Sequence, residues 1–385
     1  MKTLFVSNLF PDKSQPIWGL DNAVILRHLN ERQELRVLAT RFDPFIVRSK
    51  NHLTARTEDL ALKPEYLGIP FLPKIGTRIR TQLYLSHLLP KLRSIHREFP
   101  FERLLCAWLF PDGCAIGKAA VKFKVPFALI AQGSDVHQYL KDSFRKKQIV
   151  ETANRSLGVI TRSADLGHRL QAAGVDTDKT FTVYNGIDHA LFCLGDKEQA
   201  RTKLALPLDE RILLFVGNLL PIKRPRLIIE AFAKIKGEQQ ATSRRLVMIG
   251  GGPLRAELEQ LVASLNLKDQ VQFQGQQSPE TIATYMQAAD LLTLASVNEG
   301  VPNVILEALA SGLPVVAPKV GGIHEIIKQS HLGTLSQIDS ATQLASAWTM
   351  QLAKEADRVK ISDYAKQFTW KKAANQYDQI LSRVP

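Results

Sequence analysis

Two glutamates and a lysine carry the chemistry that this sequence can do. Glu299 and Glu307 stand eight positions apart in EGVPNVILEALASGLPVVAP (299–318), and Lys223 lies in VGNLLPIKRP (216–225). The apolar repeat of Val304, Ile305, Ala308 and Leu309 marks a helix starting near Asn303, which leaves Glu299 on the preceding loop and Glu307 about one and a half turns inside. Side chains so placed do not form a close carboxylate dyad, but they can grip one extended ligand at two points. The backbone N–H groups of Gly300, Val301 and Asn303, on either side of Pro302, frame that helix N-terminus, and such an end suits a phosphate or diphosphate. Lys223 is placed on its own loop to neutralise the same group. Each residue alone also reads as an ordinary solvated side chain.

The elements that must position these groups come next. Pro302 suits the first helical position, Gly312 ends the helix, and Leu313–Val316 is a buried strand. Lys223 follows a strand at 212–216, six residues beyond Gly217. The turn IGGGPL (249–254), with Gly252, joins a strand to a helix and is neither a P-loop nor a dinucleotide fingerprint, because Arg255 stands where a third glycine belongs. Phe127–Ala131 delivers Gln132, Asp135 and His137 to its carboxyl end, where open α/β sheets bind ligands. Gly19, in the long loop after the first strand, either lets backbone approach a ligand or is a plain turn glycine. Strands alternate with helices throughout, so the class is α/β with parallel sheets. We expect a first domain over 1–190, a linker over 191–211, a second domain over 212–355 and a helical tail over 356–385.

Charge is unevenly distributed. Of the net +13, residues 1–150 carry 24 lysines and arginines against 13 carboxylates, leaving 26 against 24 for the remainder. A basic first domain attracts anions, but no nucleic-acid recognition motif accompanies it. The segment Lys74–Phe99 is basic and amphipathic around Pro90; it reads either as helices with leucines toward the core or as a contact with an anionic membrane. Cys106, Cys114 and Cys193 have neither metal-ligand nor disulfide spacing, which points to a reducing cytoplasm. The N-terminal apolar run stops at Pro11, so it reads as a strand rather than a leader, and no stretch approaches a membrane span. Asp176-Thr177-Asp178 reads as a solvated turn, and we expect no metal and no cofactor.

The string 299–318 resembles the signature of retaining glycosyltransferases of family 4 with the GT-B fold (glycosyl transferases group 1): two glutamates with seven residues between, then a G-x-P-V-V strand. The resemblance covers nearly the whole chain and is strongest over 217–327. It implies two Rossmann-like domains facing each other across a cleft, the acceptor on the first and a nucleoside diphosphate sugar, UDP-linked by preference, on the second. The family loop V-G-R-L-x-x-x-K-G keeps Gly217 and Lys223 here but has Asn218 for the arginine and Arg224 for the last glycine, and Arg224 or Arg226 would supply the missing diphosphate cation. Gln132 stands where the family often has a histidine. The resemblance implies Glu307 on the ribose, Glu299 near the donor sugar and Lys223 on the diphosphate, with Asp135 and His137 on the acceptor side. The acceptor would be a cell-envelope or exopolysaccharide glycan or glycolipid, met at the inner face of the cytoplasmic membrane. A non-catalytic nucleotide-sugar binder or an epimerase of the same fold remains the alternative.

Overall fold

Phe127–Ala131 and Val315–Pro318 show how the sheets are built: every residue in each is buried, the pattern of a strand covered on both faces. The computed structural model describes residues 1–44, 54–71, 78–235 and 243–384. The chain divides into two units, Met1–Gly186 with Trp370–Pro385, and Ile187–Thr369.

The first unit holds strands β1 (Lys2–Ser7), β2 (Glu34–Pro44), β3 (Glu65–Phe71), β4 (Arg103–Ala107), β5 (Phe127–Ala131), β6 (Val159–Thr161) and β7 (Thr180–Thr182), in the order β3-β2-β1-β4-β5-β6-β7. The second holds β8 (Arg211–Val216), β9 (Arg244–Ile249), β10 (Val271–Gly275), β11 (Leu291–Thr293), β12 (Val315–Pro318) and β13 (Gly333–Ser336), in the order β10-β9-β8-β11-β12-β13. All these pairings are parallel. In each sheet the strand order reverses beside the unit's first strand, giving switch points at β1/β4 and at β8/β11. Ligands of doubly wound sheets bind at such points.

The C-terminal helix Trp370–Leu381 belongs to the first unit because Tyr377, Ile380 and Leu381 enter its core beside Phe5, Leu26 and Leu29. Each such side chain contributes about 1.5–3 kcal/mol on burial.

The structure departs from expectation in three places. Residues 191–211 lie inside the second unit, and the division falls at Gly186/Ile187. Their polarity reflects an internal network in which the buried Arg201 side chain donates to the carbonyls of Ala288, at 3.0 Å, and Leu208, at 2.7 Å, and pairs with Asp290 at 2.8 Å. Secondly, Arg80–Glu98 is one helix running through Pro90 rather than two helices around it, while Tyr84, Leu85, Leu88, Leu92 and Ile95 are buried in the core, in keeping with the core-facing of the two readings. Its leucines therefore face protein; residues 74–77 of the basic segment lie outside the described residues. Finally, the sequence pattern did not reveal β3 and β13. Both are edge strands, and glycine and proline within β3 blur its alternation. Among the described residues no helix is long and apolar enough to cross a membrane.

Candidate functional site

The second unit builds its site from four loops at the carboxyl ends of β8, β9, β11 and β12. After β8, Gly217–Leu220 leads into a short turn, Pro221–Lys223, and Arg224 adopts a left-handed conformation at φ 47°. The Arg224 guanidinium donates to the carbonyls of Ala295 and Ile338, both at 2.6 Å. Val297 N donates to the Ile222 carbonyl at 2.9 Å. These bonds tie the β8 loop to the β11 loop, and the Lys223 ammonium consequently meets the Glu299 carboxylate in a direct ion pair. Arg224, expected among the diphosphate cations, is thus an internal brace, because both carbonyls need its donors.

Glycines fix the remaining loops. A Cβ on Gly321, whose φ is 51°, would lie 1.7 Å from the Glu299 carbonyl oxygen, and Gly322 N donates to Gly300 O at 2.9 Å. The β12 loop thereby holds the backbone of Glu299 and Gly300. Gly250 and Gly252 likewise press on the β8 loop: added Cβ atoms would come within 2.0 Å of Gly217 O and 2.5 Å of Leu219 O. Asn218 is exposed on that loop. The helix Asn303–Ala310 then begins one residue later than expected, since Pro302 has an extended ψ of 128° and serves as its cap. Val301 precedes it half-buried, and Glu307 is half-buried on the helix.

In the first unit, Gln132 Nε2 donates to Asn22 Oδ1 at 3.0 Å. Buried Arg162 donates to the same oxygen at 3.1 Å and also to Asn185, whose amide reaches Asp21 at 2.9 Å. Asp135, expected on the acceptor side, is fully buried: its carboxylate accepts the N–H groups of Leu109 (3.0 Å), Gln132 (3.0 Å) and Gly133 (2.9 Å). Its charge shapes the loops after β4 and β5 and is closed to a ligand. His137 is half-buried, and burial, with Arg169 assisting, lowers its pKa. Gly19 serves its own chain, since a Cβ there would lie 2.3 Å from the Leu9 carbonyl carbon. At the switch point, Asp112 Oδ1 accepts from Asn8 N at 3.0 Å, Asn8 Nδ2 at 2.9 Å and Tyr84 O–H at 3.1 Å. Burial pushes its carboxyl up to about 6, against the pull of those hydrogen bonds. The long loop after β1 is pinned by Arg41, which pairs with Asp12 at 2.7 Å and donates to Phe10 O at 2.5 Å.

An N-acetyl-alpha-D-glucosaminyl L-malate synthase of Bacillus anthracis is 34% identical over 298 residues, spanning 75% of this chain and 74% of that protein. The family model for glycosyl transferases group 1 matches residues 196–368. The chain belongs to this family. As a group 1 glycosyltransferase it is also similar to a D-inositol 3-phosphate glycosyltransferase of Mycobacterium tuberculosis, 32% identical over 249 residues; that match spans 62% of this chain and half of the relative's length. Its fold is the GT-B fold: the crystal structure of Anabaena HepE in complex with UDP superposes with a TM-score of 0.77 at 21% identity over the whole of both chains.

Within this glycosyltransferase the structure gathers Gly217, Asn218, Lys223, Gly252, Glu299, Gly300, Val301, Pro302, Asn303 and Glu307 on loops and a helix at one end of the second sheet. Gln132, Asp135, His137 and Gly19 belong to the first unit. Sequence reasoning missed Gly321, whose signal was a glycine pair three residues after a buried strand, and Asp112, whose partners lie 28 and 104 positions away.

Proposed function

We propose that this glycosyltransferase moves a hexosyl group from a nucleoside diphosphate sugar, UDP-linked by preference, to an anionic glycan or glycolipid acceptor of the cell envelope or an exopolysaccharide, with retention of anomeric configuration. The observation that carries the donor half is the Lys223–Glu299 pair, on loops flanking the β8/β11 switch point. Crystal structures of HepE with UDP and with UDP-glucose support a UDP-sugar. On this reading Lys223 exchanges Glu299 for the donor diphosphate. As the bond from the anomeric carbon to the phosphate oxygen breaks, its electron pair leaves with the diphosphate, and Lys223 and the N–H groups around 301–303 take up that charge. Glu299, released from Lys223, faces the positive charge developing on the sugar, while Glu307 holds the ribose. The acceptor oxygen bonds the anomeric carbon and gives its proton to the departing diphosphate oxygen. Gln132, anchored through its amide nitrogen, offers its amide oxygen to a sugar hydroxyl.

An anionic acceptor is supported by Arg80 and Arg145. Burial depresses the Arg80 pKa, and the charge of Arg145 adds to the effect. Arg145 itself lies 4.8 Å over the Tyr139 ring. An anion between two mutually repelling guanidiniums stabilises both. The names of the two relatives, with L-malate and D-inositol 3-phosphate, fit such an acceptor. The acceptor class suggests work at the inner face of the cytoplasmic membrane.

Incubation with UDP-, GDP- and ADP-sugars, followed by detection of free nucleoside diphosphate, tests this reading. We expect release from a UDP-sugar that survives a chelator and disappears in Glu299→Ala and Lys223→Ala; release untouched by both substitutions would overturn it. The engagement of Gln132 by Asn22 favours a second reading, a non-catalytic nucleotide-sugar binder. Tight donor binding with no release in the presence of any acceptor would establish that instead.

A further inference from the structure

We propose that a cavity of about 300 Å³ in the first unit, lined from the helices Arg80–Glu98, Cys114–Phe123 and Ser143–Asn154, binds a phosphate group. Arg78, Lys118 and Arg155 line it, and none of the three side chains makes an ion pair or hydrogen bond among the described residues. By contrast, Lys197, Arg201 and Arg211, which meet beside another cavity, all converge on Asp290. Here three cations face one lining carboxylate, Glu151, which leaves a surplus of two positive charges.

The polar wall matches that charge. Thr81, also lining the cavity, is 2% exposed, yet its hydroxyl has no hydrogen-bond partner. An unsatisfied buried hydroxyl is unfavourable, and a ligand oxygen that accepts from it relieves that cost. Cys114 beside it keeps its proton, because burial pushes the thiol up to about 12, so it adds no negative charge. Three cations and a hydroxyl donor suit a group with three or four acceptor oxygens, that is, a phosphate ester or phosphate. Arg80 and Arg145 do not line this cavity, although their chain neighbours Thr81 and Phe144 do, so the site is defined by Thr81, Lys118 and Arg155. The inference does not rest on sugar transfer, and its test reads binding alone.

The full chain carrying Lys223→Ala, which silences the donor-side cation, is titrated with inorganic phosphate by calorimetry at low salt. It is then sedimented with phosphatidylglycerol or phosphatidylcholine vesicles. We expect saturable phosphate binding that weakens about tenfold or more when Lys118→Gln and Arg155→Gln are added, and also weakens in Thr81→Val. Sedimentation with phosphatidylglycerol alone, lost in the double variant, identifies a lipid headgroup as the source; phosphate binding without sedimentation identifies a free phosphate. Thr81→Val, which keeps the side-chain volume, reads the site even if the double variant folds poorly. Failure of the parent to bind either probe, or binding by both the double variant and Thr81→Val equal to the parent's, would overturn the proposal.

Discussion

At the β1/β4 switch point of the first unit, the Asp112 carboxylate is fully buried and accepts three hydrogen bonds from Asn8 and Tyr84. At the β8/β11 switch point of the second, the Glu299 side chain is 10% exposed and pairs with Lys223, which is 26% exposed. The topology is the same, but the charges are used differently. A buried carboxylate whose Oδ1 is taken up by three donors of its own chain fixes the shape of loops. One held by a single flexible lysine can exchange that partner for a ligand, because a diphosphate brings the lysine an anionic partner in place of the carboxylate. Asp135, with its three backbone donors, sides with Asp112.

Substitutions at the two switch points should therefore separate activity from stability. The largest loss of turnover is expected for Lys223→Ala, about a hundredfold or more in kcat with little change in melting temperature, as for removal of one donor to a departing oxyanion. Gly321→Ala comes next: a methyl 1.7 Å from the Glu299 carbonyl must displace that backbone, and steady-state kinetics should show a loss between about tenfold and a hundredfold. Asp135→Asn should leave the UDP dissociation constant unchanged and lower stability in urea unfolding by about 1–3 kcal/mol, since three N–H groups lose a charged acceptor.

Asp112→Asn should affect turnover least and the pH dependence of stability most. The folded state raises this carboxyl from 3.8 to about 6, so it favours the neutral form. The parent consequently loses stability as pH rises from about 4 to about 6 and is level above that range; the variant lacks this slope. Melting curves across that range check it, and an unchanged slope would place Asp112 outside the switch-point network described here.

Much of this was legible from local pattern. Phe127–Ala131 is a strand with the expected bounds because an unbroken apolar run has one stable use in a parallel sheet. The loop, helix and strand of 299–318 carried the Glu299 and Glu307 positions in the same way. What stayed hidden depends on distant partners. Nothing near Asp135 in sequence tells that Leu109 N will be waiting for it, nor does the sequence around Arg224 announce the Ile338 carbonyl. The run 191–211 reads as a linker because it is polar and charged and holds Pro207, and only Asp290 shows that Arg201 within it is a buried residue. Gly321 carries no signal of its own beyond standing in a glycine pair, and its role depends on the Glu299 carbonyl packed against it.

The central claim is that the Lys223–Glu299 pair marks the donor site. A crystal structure of the protein soaked with a UDP-sugar tests it directly. We expect the diphosphate within hydrogen-bond distance of the Lys223 ammonium, with the Glu299 carboxylate turned from that lysine toward the sugar. A donor bound elsewhere, with the ion pair intact, would contradict it.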